Sequence, residues 1–226
     1  MPRPSRNLDR AGLAAGRALL PESGCAGLTI RQVAEAAGVN IGMFHYHFKT
    51  REAFLRAVMQ ETYEEMFAQL TFEVARPRDA SPVEHLRAAM RVVARFARDN
   101  RRFIARILAD ALGGDATARV FIAENLPRHF TLLTALIQKG QQTGALRPLA
   151  PRQALAFCIG AVAMPILVGG AAADLLPRPA AQALHDTLLC DAALDQRIDL
   201  ALAGIAAPPG TRPAGTSRRA PRKKKG

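Results

Sequence analysis

Residues 29–51 constrain the fold more than any other part of the chain, because they carry two short helical patterns on either side of a glycine. Thr29 and Gln32 have the spacing of a capping box, in which a hydroxyl and an amide satisfy free backbone N–H groups at a helix start. Gly38 predicts the turn that ends this helix, and Asn40 predicts the cap of the next one. Two short helices joined by a tight turn are the layout of a DNA-binding helix-turn-helix.

The second helix of this pair should bury Phe44 and Phe48, which are four residues apart and therefore share a face. At about 100° per residue, this orientation places Tyr46 and Lys49 on the opposite side, where polar groups suit phosphates and base edges. Gly42 lies on that side as well and allows close approach of the backbone to a partner. The spacing therefore predicts a DNA-recognition helix.

The residues around this helix pair resemble the N-terminal domain of TetR-family transcriptional regulators, over a stretch from Leu13 to roughly Met59. Three positions depart from the family pattern: Asn40 replaces the usual Ser or Thr, His45 replaces a phosphate-contacting Tyr, and Arg51 replaces Lys. Since all three keep hydrogen-bonding capacity, the departures bear on the operator sequence rather than on DNA binding. The matching positions are Thr29, Arg31, Val33, Ala34, Ala37, Gly38, Val39, Gly42, Phe44, His47, Phe48, Lys49 and Leu55.

Helix geometry and the resemblance together predict the residues that contact DNA. His47 depends on the resemblance alone, because helical spacing puts it beside the buried face. The predicted DNA-binding residues are Arg31, Asn40, Gly42, Met43, His45, Tyr46, His47, Lys49 and Arg51.

Positive charge is concentrated at the end of the chain. The net charge is +12, and more than half of it lies in residues 208–226, which contain no acidic residue. This tail is rich in Pro, Gly, Arg and Lys, so we predict that it is disordered. It is either a solvated extension or a source of nonspecific attraction to nucleic-acid phosphates. Residues 1–6 are likewise predicted to form a flexible basic arm.

The rest of the chain predicts an all-α fold, because Ala and Leu dominate and apolar residues recur at helical spacing. A helix-turn-helix DNA-binding domain is expected at 7–49, with its first helix at 7–20 and a loop at 21–27. A linking helix is expected at 50–75, and a helical ligand-binding and dimerisation domain at 76–207. Within that domain, helices are predicted at 81–99, 101–112, 115–142 with a kink at Pro127, 152–173 and, as one helix or a pair, 180–206.

The helices at 152–173 and 180–206 are poorly charged and carry more apolar surface than one subunit needs to cover. We therefore predict that they pair with their copies in a second subunit, since two-fold contacts are the commonest oligomer interface. A homodimer also suits a palindromic operator, whose half-sites lie one helical turn apart. The TetR resemblance implies the same interface, in which these last two helices of each subunit form a four-helix contact.

Aromatic and soft apolar side chains in residues 90–165 are individually typical of core. Together they predict an apolar cavity between helices, with a histidine as its polar group. In the resembled family, an effector in such a cavity moves the heads to a separation that no longer fits the operator. The predicted ligand-binding residues are Phe96, Phe103, Phe121, His129, Phe130, Phe157 and Met164.

The sequence offers little for catalysis, metal binding or a cofactor. His45 and His47 are two residues apart, so they diverge on a helix and cannot share a metal. The few serines lie outside any GxSxG motif. Cys25, Cys158 and Cys190 are widely spaced and odd in number, which argues against a disulfide framework. We predict no enzymatic activity, no metal and no cofactor.

Residues 154–173 form an uncharged segment that requires a comparison with membrane spans. The segment is rich in Ala and Gly and contains Pro165, so its transfer into lipid would be weakly favourable. A helix buried in protein is the preferred interpretation, and the predicted location is the cytoplasm of a bacterium.

The predicted function is that of a ligand-responsive transcriptional repressor that binds a palindromic operator as a homodimer and is released by a small, largely apolar effector. One alternative is a helical protein that binds small molecules without specific DNA recognition. The other is an activator or architectural DNA-binding protein that uses the basic tail.

Overall fold

The computed structural model describes residues 4–76 and 81–208, and within them the chain is helical apart from turns and an isolated bridge between Leu146 and Ala206. The all-α prediction is confirmed. The predicted basic tail, from residue 209 onward, lies outside the described residues. The helices are α1 (Pro4–Gly27), α2 (Ile30–Ala37), α3 (Ile41–Phe48), α4 (Arg51–Ala75), α5 (Pro82–Asp99), α6 (Arg101–Leu112), α7 (Ala116–Gln142), α8 (Pro151–Leu175), α9 (Arg178–Leu188) and α10 (Asp191–Ile205).

Local capping signals set the ends of the short helices. The capping box at the start of α2 is present in both directions, because Thr29 accepts from the Gln32 N–H and the Gln32 side chain accepts from the Thr29 N–H. Gly38 ends α2 in the left-handed region, with φ 65°, where glycine is favoured. Thr50 caps α4 through the Ala53 N–H. These predictions are confirmed.

The first helix differs from its prediction at both ends. Residues 4–6, assigned to a flexible arm, belong to α1, because proline is tolerated in a first helical turn where its missing N–H has no partner. The predicted loop at 21–27 is also wrong: this segment is helical, with a break at Gly24 (φ 68°). Contacts with α6 hold it, since the Cys25 N–H donates to the Asp110 carboxylate at 2.7 Å and Cys25 is fully buried.

We call α1–α3 and the first half of α4 the head. Its core is built on three phenylalanines, with ring centroids 4.9 Å apart for Phe44 and Phe48, and 4.6 Å and 5.0 Å from these two rings to Phe54. The predicted shared face of Phe44 and Phe48 is confirmed. Phe103 and Ile107 of α6 complete this core from outside the helix-turn-helix.

We call the second half of α4 and α5–α10 the body. The segment predicted as a linking helix corresponds to α4, whose early residues join the head core while Tyr63, Met66 and Leu70 join the body core. Because α4 contributes to both cores, any displacement of this helix moves both of them. The segment 180–206 is a helix pair, α9 and α10.

Among the described residues, α8 alone is long and apolar enough to cross a membrane by length and composition. A third of the residues in its most apolar window are buried inside the fold. It packs against α5, α6, α7, α9 and α10, so α8 is the central helix of the body.

Candidate nucleic-acid interface

The helix α3 is held by its own cap and by its buried face. The Asn40 side chain accepts from the Gly42 N–H at 2.7 Å, which satisfies a free donor in the first turn of α3. Phe44 is buried, whereas Ile41 and Gly42 are exposed. Hence the start of α3 is free to approach a partner while its opposite face is fixed to the head.

The exposed side of α3 carries the polar groups expected there. Tyr46 is 79% exposed, and Lys49 follows the helix end in the left-handed region, with φ 58°. On α2, the Arg31 side chain is exposed and its Nε lies 2.9 Å from the Glu35 carboxylate. We call Arg31, Asn40, Gly42, Tyr46 and Lys49 the recognition surface.

His47 does not belong to this surface. Its Nδ1 lies 3.0 Å from the Asp9 carboxylate of α1, and only 16% of the side chain is exposed. The ring of His47 therefore lies toward α1, and a DNA contact by this residue stays a prediction.

Arg51 is also directed inward. Its guanidinium donates to the Leu28 carbonyl at 2.7 Å and to the Cys25 carbonyl. The Cys25 carbonyl lies in the last turn of α1 and the Leu28 carbonyl lies just beyond it. Arg51 therefore ties the start of α4 to the end of α1, and a DNA contact by this residue stays a prediction. The side chains of Met43 and His45, also predicted to contact DNA, lie outside the described part of α3.

The residues predicted to bind a ligand are distributed over three places. Phe96, Phe121 and Phe130 pack around the body core, and His129 is buried within the body. Phe103 belongs to the head core instead. Phe157 and Met164 are about half exposed on α8. The seven residues therefore lie in different parts of the fold, and their role in binding a ligand stays a prediction.

A polar network between α4 and α7 surrounds His129, and sequence reasoning missed most of it. Tyr63 Oη donates to the Asn125 carbonyl at 2.8 Å and lies 3.2 Å from His129 Nδ1. A hydroxyl has one hydrogen, so His129 must donate from Nδ1 to the Tyr63 oxygen. The side-chain amides of Asn125 and Gln60 exchange two hydrogen bonds, at 3.0 Å and 3.1 Å.

Burial sets the protonation of this network. Desolvation lowers the pKa of His129 to about 4, with a smaller contribution from the charge of Arg128, and it raises the pKa of Tyr63 to about 12. Both groups are therefore neutral at pH 7. Arg128 pairs with Glu64 and lies 4.1 Å from the centre of the Phe67 ring, which closes the network toward solvent. The signal in the sequence was polar side chains at helical spacing on α4 and α7.

Residues 13–58 match the sequence model of a family described as bacterial regulatory proteins, tetR family. No curated protein sequence matches the chain.

Solved structures share the fold over most of their length. The transcriptional regulator FadR from Bacillus subtilis, in complex with stearoyl-CoA, is 18% identical with a TM-score of 0.66, covering 87% of this chain and 98% of that protein. A transcriptional regulator from Rhodococcus sp. Rha1 is 23% identical with a TM-score of 0.63, covering 87% and 97%. The TetR-family regulator PfmR from Thermus thermophilus is 20% identical with a TM-score of 0.58, covering 79% and 96%.

Proposed function

We propose that this chain, which belongs to the TetR family of bacterial transcriptional regulators, is a cytoplasmic repressor that binds a palindromic operator as a homodimer. A small, largely apolar effector releases it from DNA. The observation that carries the proposal is the recognition surface, whose exposed Tyr46 and Lys49 stand opposite a buried aromatic face.

The rigid seating of α3 supports specific DNA recognition. Phe44, His47 and the Asn40 cap fix this helix at its face, its side and its start. Side chains held in this way present one arrangement of donors to a major groove. A footprint on the DNA upstream of the protein's own gene tests the proposal, with protection of a palindrome as the expected result. Equal affinity for that DNA and for bulk DNA at physiological salt would favour an architectural role instead.

We expect Tyr46→Ala and Lys49→Ala each to weaken operator binding by about 1–3 kcal/mol, the range for a lost base contact. A phosphate contact by Lys49 would also lower the slope of affinity against salt by about one. Fluorescence anisotropy of labelled operator at several salt concentrations measures both quantities. Phe72→Ala and Arg152→Ala, at exposed positions on α4 and α8, serve as matched controls. If a variant loses helicity together with operator affinity, its side chain stabilises the fold and is not a DNA contact.

Exposed apolar side chains on α8 support the homodimer. Phe157, Met164 and Val168 are 51%, 53% and 58% exposed, and their spacing of seven and four places them on one helix face. On α10, Leu200 is 66% exposed, and Gly204 lies against the Phe157 ring. Covering exposed apolar area of this kind with a second copy of the chain stabilises a dimer.

We expect the double variant Met164→Asp with Val168→Asp to be monomeric, because it places two carboxylates at the centre of the proposed interface. Light scattering coupled to size exclusion should give half the mass of the unsubstituted protein. Phe72→Asp introduces a charge at an exposed apolar position on α4 and should leave the mass unchanged. A double variant that keeps the mass of the dimer would exclude α8 from the interface.

The effector is proposed to act through the α4–α7 contact. α4 carries residues of both cores, and the Tyr63–His129–Asn125 network joins it to α7. The Bacillus subtilis relative is in complex with stearoyl-CoA, which makes that compound the first probe. Its addition to the protein–operator complex should release the DNA. If an unrelated detergent of the same chain length releases the DNA as well as stearoyl-CoA does, stearoyl-CoA is rejected as a specific effector.

A further inference from the structure

A groove rich in arginine lies where α6, the end of α8 and the start of α9 meet. It consists of two adjoining recesses of about 550 Å³ and 430 Å³, which share Arg101 and Asp174. Arg178 and His185 of α9 line the larger recess, and Arg102 lines the smaller one. This arginine groove does not include the recognition surface, because its walls contain Pro21 and Glu22 of α1 but no residue of α2 or α3.

The two carboxylates of the groove, Asp174 and Glu22, both lie within ion-pair distance of Arg102. Arg102 binds Asp174 through two parallel hydrogen bonds of 2.8 Å each, the bidentate geometry that guanidinium and carboxylate prefer. The hydrogen bond from Arg102 is the main reason why the pKa of Asp174 lies below its usual value, and the charge of Arg101 lowers this pKa further. Asp174 therefore has little capacity left for a third arginine.

Two guanidinium groups of the groove have no carboxylate within ion-pair distance among residues 4–76 and 81–208: those of Arg101 and Arg178. Arg101 Nε is buried against Gly170, and Arg101 Nη1 lies 3.4 Å from the Arg98 carbonyl, so no carboxylate balances the charge of this guanidinium. An anion bound in the groove would supply the counter-charge that the guanidinium groups of Arg101 and Arg178 lack.

The start of α9 adds to this preference for negative charge. No side chain caps α9, and its first turn contains no acidic residue. Pro179 in this turn has no N–H, but the other N–H groups and the positive end of the helix dipole attract anions. Arg178 is the first residue of α9, so its guanidinium and this terminus belong to the same wall of the groove.

From this arrangement we propose that the arginine groove is a binding site for a small polyanion, such as a phosphorylated or polycarboxylate metabolite, with one anionic group on Arg101 and another on Arg178 and the start of α9. The site is separate from the proposed apolar effector and from DNA. It lies next to the head, because Arg102 and Arg106 of α6 also face Glu22 and Gly24 of α1. A bound anion would therefore link α6 to α9 beside the head.

Isothermal titration of the full-length protein with inorganic pyrophosphate and, separately, with citrate tests this site. We expect binding of at least one probe at physiological ionic strength, and a loss of tenfold or more in affinity in Arg178→Ala. Arg152→Ala removes the same charge from an exposed position at the start of α8 and should bind the probe as the unsubstituted protein does. Pyrophosphate binding alone identifies a phosphorylated ligand, and citrate binding alone identifies a polycarboxylate.

A second variant separates the site from general positive charge. A Cβ at residue 170 would lie 2.5 Å from Arg101 Cδ, so Gly170→Ala displaces Arg101 without changing any charge. We expect weaker probe binding in this variant with helicity unchanged. The proposal is overturned if neither probe binds, or if Arg178→Ala and Gly170→Ala bind as tightly as Arg152→Ala. Since none of these measurements uses DNA, they stand or fall independently of operator binding.

Discussion

Phe54→Ala is expected to destabilise the head by about 3–5 kcal/mol, the usual loss for a buried phenylalanine. Phe54 is fully buried and packs edge-on against both Phe44 and Phe48. The ring also lies against Gly16 of α1, where no side chain is available to move into the space that it would leave. Since α3 rests on these rings, operator affinity should fall together with stability.

Urea denaturation followed by circular dichroism measures this loss. Phe72→Ala provides the control on the same helix, because Phe72 is 70% exposed and its removal should change stability by no more than about 0.5 kcal/mol. Phe54 belongs to the head core and not to the body core, so its loss weakens the head first and reaches the body through α4 and α6. Equal midpoints for the two variants would mean that the phenylalanine cluster is not the core of the head.

The coupling between head and body depends on helices that belong to both. α4 contributes to each core, and α6 places Phe103 and Ile107 in the head core while its arginines face α8 and α9. The orientation of the recognition surface is therefore fixed by two rigid connections. A ligand that separates α4 from α7 would act on the head through α4. An anion that ties α6 to α9 would act on the head through α6.

Signals that act over a few residues were readable from the sequence. Thr29, Gly38, Thr50 and Ser81 each mark a helix end through bonds within three or four residues, and the structure places the helix ends at these residues. The aromatic face of α3 was equally predictable, because Phe44 and Phe48 are one turn apart.

Features that depend on distant partners could not be predicted. The segment 21–27 is helical because α6 contacts it, with Asp110 lying 85 positions from Cys25. His47 and Arg51 have polar side chains suited to DNA, yet His47 lies beside Asp9 and Arg51 donates to two main-chain carbonyls. Helical spacing already placed His47 beside the buried face, but nothing in the local sequence distinguishes Arg51 from Lys49.

Acidification from pH 6.5 to pH 4 is expected to remove about 3 kcal/mol of stability through His129, since each pKa unit corresponds to about 1.4 kcal/mol. In the unfolded chain His129 takes up a proton near pH 6.5, whereas burial in the folded protein holds its pKa at about 4. The unfolded state therefore binds more protons between these values. The stability is fully present above pH 6.5 and is lost as the pH falls to 4.

His129→Asn isolates this contribution, because an amide can still donate to Tyr63 but does not titrate. Urea midpoints measured between pH 6.5 and 5 should be nearly flat for this variant and should decline for the unsubstituted protein. The hydrogen bond from Arg128 lowers the pKa of Glu64, so this carboxylate titrates on the acidic side of this range. His185→Asn, at an exposed position on α9, should retain the decline. If His129→Asn shows the same decline, the protonation of another group weakens the fold. The bond between His129 and Tyr63 would then not be the acid-sensitive contact between α4 and α7.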